Sequence, residues 1–121
     1  MQSMARTFAM IFGAFFILLG VSGFVSNPLI GAGALFAAAA ASTALHLVFG
    51  ALLLIIAFRS GGDARPALRI VGAATFLFGL IGLLTVPSAG GLLFAVAYTN
   101  GAMNWLHVAV GIAIFFCPRL R

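Results

Sequence analysis

Four long apolar runs, at about residues 7–25, 35–58, 67–86 and 92–117, fill most of the chain, and polar residues gather at the joints between them. Crossing a hydrocarbon core of roughly 30 Å takes about 20 residues at a rise of 1.5 Å each. In lipid a spanning segment must satisfy its own backbone groups, so each run predicts a helix. The pattern is also written twice. Gly13, Gly20 and Gly23 recur as Gly72, Gly79 and Gly82 at a shift of 59 (72 − 13), and Leu45-His46 with Gly50 recurs as Leu106-His107 with Gly111 at a shift of 61 (107 − 46). The two extra residues therefore fall in the second copy's connecting loop. The expectation is an all-α membrane protein with four transmembrane helices, arranged as two parallel-repeat helical hairpins. A pseudo-two-fold axis along the membrane normal would relate them. A single transmembrane domain covers 1–121, with repeat 1 at about 5–60 and repeat 2 at about 64–118.

The joints differ on the two sides. Gly61-Gly62-Asp63 with Pro66 reads as a short polar turn between the repeats. Residues 26–42 carry Asn27-Pro28, Gly31, Gly33 and the alanine-rich run 37–41, while residues 86–101 carry Pro87, Gly90-Gly91 and Asn100-Gly101. These weakly polar stretches predict either short helices resting in the interface or outward extensions of helices 2 and 4; no strand is expected. Tyr98 and Trp105 stand where an aromatic belt belongs.

The repeated glycines are spaced by seven and three, which places small residues on one side of a helix and lets backbones approach closely. Gly13, Gly20, Gly23 and Gly50, with their counterparts Gly72, Gly79, Gly82 and Gly111, are the candidate helix-packing positions.

Composition changes the picture in one respect. Charged residues are only 6% of the chain and hydrophobic ones 64%, so a soluble domain is excluded, yet the net charge is +5. In a soluble protein such a charge would suggest nucleic acid. Here Arg6 precedes helix 1, Arg59, Arg65 and Arg69 lie between helices 2 and 3, and Arg119 and Arg121 follow helix 4. All six fall on one side of a four-helix topology, the distribution expected of cytoplasmic N- and C-termini. The partner so implied is the lipid bilayer and not nucleic acid. The segment ending at Val21-Ser22-Gly23 resembles a signal peptide, but its pattern recurs in mid-chain at 67–84, so it reads as a retained helix. Cys117, the lone cysteine, has no disulfide partner within the chain; it reads as a small apolar filler, with juxtamembrane lipidation as the other reading.

His46 and His107 are the candidate chemistry. Each is followed at i+4 by a glycine on the same helix face, and the repeat sets both at similar depth. In one reading each imidazole bonds a neighbouring carbonyl or hydroxyl, with Ser22, Thr43, Thr75, Thr85 and Asn104 as partners within reach of the pattern. In the other, the paired histidines ligate a haem or chlorophyll-type cofactor, with Gly50 and Gly111 leaving room for a flat macrocycle. The sequence leaves open whether the two rings face each other. Proton transfer is a third possibility, although no acid or lysine lies inside any run.

Catalytic classes fail on inventory. Asp63 is the only acid, there is no lysine, and no serine–histidine–acid set can be assembled. Two histidines are too few for an ordinary protein metal site.

The segment Asn100-Gly101-Ala102-Met103-Asn104-Trp105-Leu106-His107, followed by Gly111, resembles the hallmark of a family of small bacterial membrane proteins carrying a domain of unknown function. That family shows an alanine-arginine start, two helix pairs and an asparagine–acid–asparagine–leucine-histidine segment. Ala5-Arg6 fits the start, and Asn100, Asn104, Leu106 and His107 fit the later segment. Met103 stands where the acid is expected, and copy 1 has Ala39, Ser42 and Thr43 at the equivalent positions. The resemblance implies a four-helix fold in a bacterial inner or photosynthetic membrane and no established activity. With little outside the bilayer and few reactive groups, the chain reads as a non-catalytic accessory or structural subunit packing against other integral membrane subunits. A cofactor-binding bundle built on His46 and His107 is the alternative, and a small permease or channel the third reading.

Overall fold

The computed structural model describes residues 2–25, 27–31, 34–36, 38–59, 63–94 and 97–117. Gly33, Ala37, Gly61-Gly62, Pro118, Arg119 and Arg121, all used in the sequence reading, lie outside them. Four helices make up most of the fold: α1 (Gln2–Ser22), α2 (Ala40–Phe58), α3 (Arg65–Thr85) and α4 (Gly101–Phe116). The first three are long and apolar enough to cross a membrane, and α4 is a shorter apolar helix of 16 residues.

Helices α2 and α4 begin later than the apolar runs suggest. The reason lies in the outer connections, which fold on themselves. Asn27 organises the first: the two hydrogens of its Nδ2 are shared among the carbonyls of Ser22, Val25 and Ile30, and its Oδ1 accepts from the amides of Leu29 and Ile30. One side chain thus gathers both donors and acceptors of a turn whose backbone groups have no helical partner. Asn27→Ala is expected to loosen this connection while sparing the helices, read as faster amide exchange at Leu29 and Ile30 with the amides of α2 unchanged.

The second connection departs from the sequence reading. Residues 91–99 hold an antiparallel hairpin, β1 (Gly91–Leu93) with β2 (Ala97–Thr99), in register Gly91 to Thr99, Leu92 to Tyr98 and Leu93 to Ala97. The expected interfacial helix or helix extension is absent from the described residues here. A leucine pair followed by phenylalanine reads equally as helix or strand when it is all apolar. Gly90 permits the turn into the hairpin: at φ +130° it takes a backbone conformation that side chains rarely adopt, and a Cβ there would collide with the Tyr98 hydroxyl. Helix α4 then starts cleanly because Asn100 Oδ1 accepts from the Met103 amide at 2.9 Å, a side-chain N-cap.

Helices α1 and α2 pack antiparallel, as do α3 and α4. The glycines sit at these crossings: Gly13 meets Leu54 and the Gly50 carbonyl, and Gly72 meets Phe115 and the Gly111 carbonyl. Farther along, Gly20 lies on Leu47 and Gly79 on Val108, then Gly23 on Thr43 and Gly82 on Asn104. Where the four helices converge, the core is built of Ala5, Ala9, Leu53, Ala57, Leu68 and Ile114, with Phe16. Arg6 Nε donates to the Ala57 carbonyl at 2.9 Å, tying the start of α1 to the end of α2. Asp63 pairs with Arg65 at 2.9 Å in the turn before α3, and those hydrogen bonds hold its carboxyl below the usual carboxylate range. The outward faces carry large apolar side chains such as Ile11, Leu18, Ile55, Ile70 and Leu84. That is the surface lipid requires and water opposes.

Candidate site: a buried histidine pair

His46 and His107 are each the seventh residue of their helix, counted from Ala40 and Gly101, so each ring stands about 9 Å below the helix start at 1.5 Å per residue. The fold brings them together. Nε2 of His46 and Nε2 of His107 are 3.2 Å apart, and the ring centroids are 5.5 Å apart with planes at 65°. The centroid separation equals the nitrogen separation plus two ring radii, so the nitrogens meet head to head on one line. Such a contact is a hydrogen bond only if one nitrogen carries a proton and the other offers its lone pair. The two rings must therefore hold opposite tautomers.

The other ring nitrogens, Nδ1 of each histidine, are buried and carry no hydrogen-bond partner among the described residues. Of the partners the sequence offered, Thr75, Thr85 and Asn104 each form a hydrogen bond elsewhere, while Asn104 Nδ2 is buried with no partner among the described residues. Thr75 Oγ1 donates to the Val71 carbonyl and Thr85 Oγ1 to the Ile81 carbonyl, each one turn back in α3. Asn104, fully buried, accepts at Oδ1 from Thr99 Oγ1 at 2.8 Å. Thr99 is a residue that sequence reasoning missed; only its polarity inside an apolar stretch could have flagged it. Phe16 of α1 lies against the His46 ring at 6.1 Å between centroids.

A cavity of about 40 Å³ adjoins the pair, lined among others by Phe16, Phe49, Thr75, Phe78 and Leu93. A buried water needs roughly 10–15 Å³ of such space, so the cavity is scaled to waters and not to a macrocycle. Ordinary metal–imidazole bonds of about 2.0 Å on either side would also set the two nitrogens about 4 Å apart. The rings as they stand are closed on each other, and a haem or chlorophyll would require them to part.

The two asparagines of the motif thus have distinct tasks, Asn100 capping α4 and Asn104 forming a buried polar pair with Thr99. Residues 6–117 match the family model described as a domain of unknown function, DUF4383. The chain belongs to the DUF4383 family. No curated protein and no solved structure matches it. For this DUF4383 chain the buried pair is therefore read on its own geometry. Met103, where the resemblance sets an acid, is the third residue of α4 and fully buried. An acid at that position could close a capping box with Asn100; methionine adds apolar packing instead. Among the described residues no group of three or more metal-ligating side chains converges.

Proposed function

We propose that this protein is a non-catalytic integral membrane subunit that packs laterally against other membrane helices in a larger complex, with the histidine pair joining its two halves. The head-to-head contact of His46 and His107 carries the reading: the bundle's most reactive groups are spent on each other. Ser42 Oγ donates to the Tyr98 carbonyl and Asn100 Nδ2 to the Leu35 carbonyl, so each outer connection is also held by the half that does not contain it.

The same reading takes the halves as parallel repeats about a pseudo-two-fold axis. Its support is that the contacts of the repeated glycines correspond: Leu54 and Phe115, Leu47 and Val108, and Thr43 and Asn104 are each 61 apart (115 − 54, 108 − 47, 104 − 43). With Arg6, Arg59, Arg65 and Arg69 at one end of the chain's helical turns, both termini are assigned to the cytoplasmic side of a bacterial membrane.

The test is a native gel of the tagged protein extracted in mild detergent. Migration well above 12.5 kDa, with other membrane proteins retained, is expected for wild type and for the His46→Gln, His107→Gln double variant alike. A lone monomer or homodimer would sink the subunit reading. A visible absorption band present in wild type and lost in the double variant would replace it with the cofactor-binding one.

A further inference from the structure

We propose that the β1–β2 hairpin is a re-entrant element that lies inside the outer leaflet, with Leu92 and Phe94 against lipid acyl chains. The inference rests on the membrane-spanning reading of the helices and adds where this connection sits.

The hairpin does not project from the end of the bundle. Phe94 packs edge-on against Phe78 at 6.1 Å, and Phe78 lies seven residues before Thr85, the end of α3, which is about 10 Å along the helix. Leu93 lines the same cavity as Thr75 and His107, so the hairpin reaches the depth of the histidine pair. On its other edge the Tyr98 carbonyl accepts from Ser42 in the first turn of α2. The hairpin therefore fills the seam between α2 and α3.

Its side chains alternate in the way a half-covered strand requires. Leu93 is 3% exposed and turned into the protein, while Leu92 and Phe94 are 57% and 63% exposed. Those two flank the covered position with bulky apolar groups, and no charged residue occurs anywhere from 70 to 118. A loop tip in water would be expected to carry polar residues. Lipid at this depth also demands that backbone groups be paired or covered by protein: β1 and β2 pair with each other, and the edges of the hairpin lie against α2 and α3, where the Tyr98 carbonyl accepts from Ser42. Helix α4 supplies the remaining argument. Its 16 residues span about 24 Å, short of a hydrocarbon core of roughly 30 Å, which leaves room within that thickness for the connection preceding it.

The test uses tryptophan fluorescence of the full chain in phosphatidylcholine vesicles. In a Trp105→Phe background, Leu92→Trp and Phe94→Trp are compared with Leu77→Trp, on the exposed face of α3, and Asp63→Trp, in the polar turn. Each is quenched with acyl-chain-brominated lipid and with aqueous acrylamide. The expected result is that both hairpin variants follow Leu77→Trp, losing at least half their emission to brominated lipid and little to acrylamide. Hairpin variants that follow Asp63→Trp would place the hairpin in water and overturn the proposal. Protection from both quenchers would overturn it equally, pointing to a second copy as the cover. If Leu77→Trp itself escapes brominated lipid, the membrane-spanning reading has failed, which is a different outcome from failure of the hairpin's placement. Two separate hairpin variants guard against one of them disturbing the tip.

Discussion

Gly72→Ala and Gly111→Ala are each expected to destabilise the fold by about 1–3 kcal/mol, the range for forcing extra methyl groups into a packed interior. The cause is backbone, not side chain. A Cβ at Gly72 would lie 2.5 Å from the Phe115 nitrogen and 2.9 Å from the Gly111 carbonyl oxygen, and one at Gly111 would lie 2.8 Å from the Gly72 carbonyl oxygen. Main chain in the middle of a helix cannot rotate aside, so α3 and α4 must move apart along the whole crossing. Gly20→Ala provides the contrast. Its new methyl would press chiefly on the Leu47 side chain, 2.6 Å away, with the nearest backbone atom at 3.2 Å. A leucine tip can change rotamer, so this variant should lose clearly less. Unfolding of the three variants in a denaturing-detergent titration ranks them. Equal losses at all three positions would show that close backbone approach is not what the glycines provide.

His46→Leu and His107→Leu are each expected to cost about 1–3 kcal/mol, because removing one ring leaves the other with a buried nitrogen unsatisfied. The double variant removes both polar groups at once. It should therefore cost less than the sum of the singles, with a coupling of roughly 0.6–1.7 kcal/mol, the average and upper values for hydrogen bonds between membrane helices. The same pair makes a spectroscopic prediction. Nitrogen spectra of the labelled rings should show one histidine protonated at Nε2 and the other at Nδ1, since a single proton lies between two collinear nitrogens. Strictly additive single costs, or two rings in the same tautomer, would remove the hydrogen bond from the account. Both outcomes are independent of whether the protein works as a subunit of a larger assembly.

The glycine and histidine variants probe features that were legible to different degrees. Glycine spacing indicates which faces meet, since a close crossing needs small residues at fixed helical intervals, and here each such glycine does lie at a crossing. The spacing carried no information about what each glycine would meet. Gly82, for example, makes room for the Asn104 amide, which in turn holds Thr99 on the hairpin. Asn104 was visible as a motif residue, whereas Thr99 was not. The distinction is physical, because their pairing depends on the short bend from the end of β2 into the first turn of α4, which has no hydrophobic periodicity to announce it. Phe94, at φ 54°, is the only non-glycine among the described residues with positive φ, and nothing in its identity signals that conformation.

Apolar run length was enough for the sequence alone to determine a helical protein with segments able to cross a membrane, and the recurrence of its glycines and histidines showed a pattern written twice along the chain. Burial of about twenty apolar residues and the cost of charge in lipid act locally, so they leave their mark in the order of residues. Which way the two histidines turn, and where the outer connections go, depends on how one half is seated on the other. That seating is set by contacts more than fifty residues apart in the chain, His46 with His107, Ser42 with Tyr98 and Leu35 with Asn100. Only the tertiary structure decided those, because an apolar stretch such as 91–99 carries no periodicity that separates helix from strand, and the choice falls to the seam it has to fill.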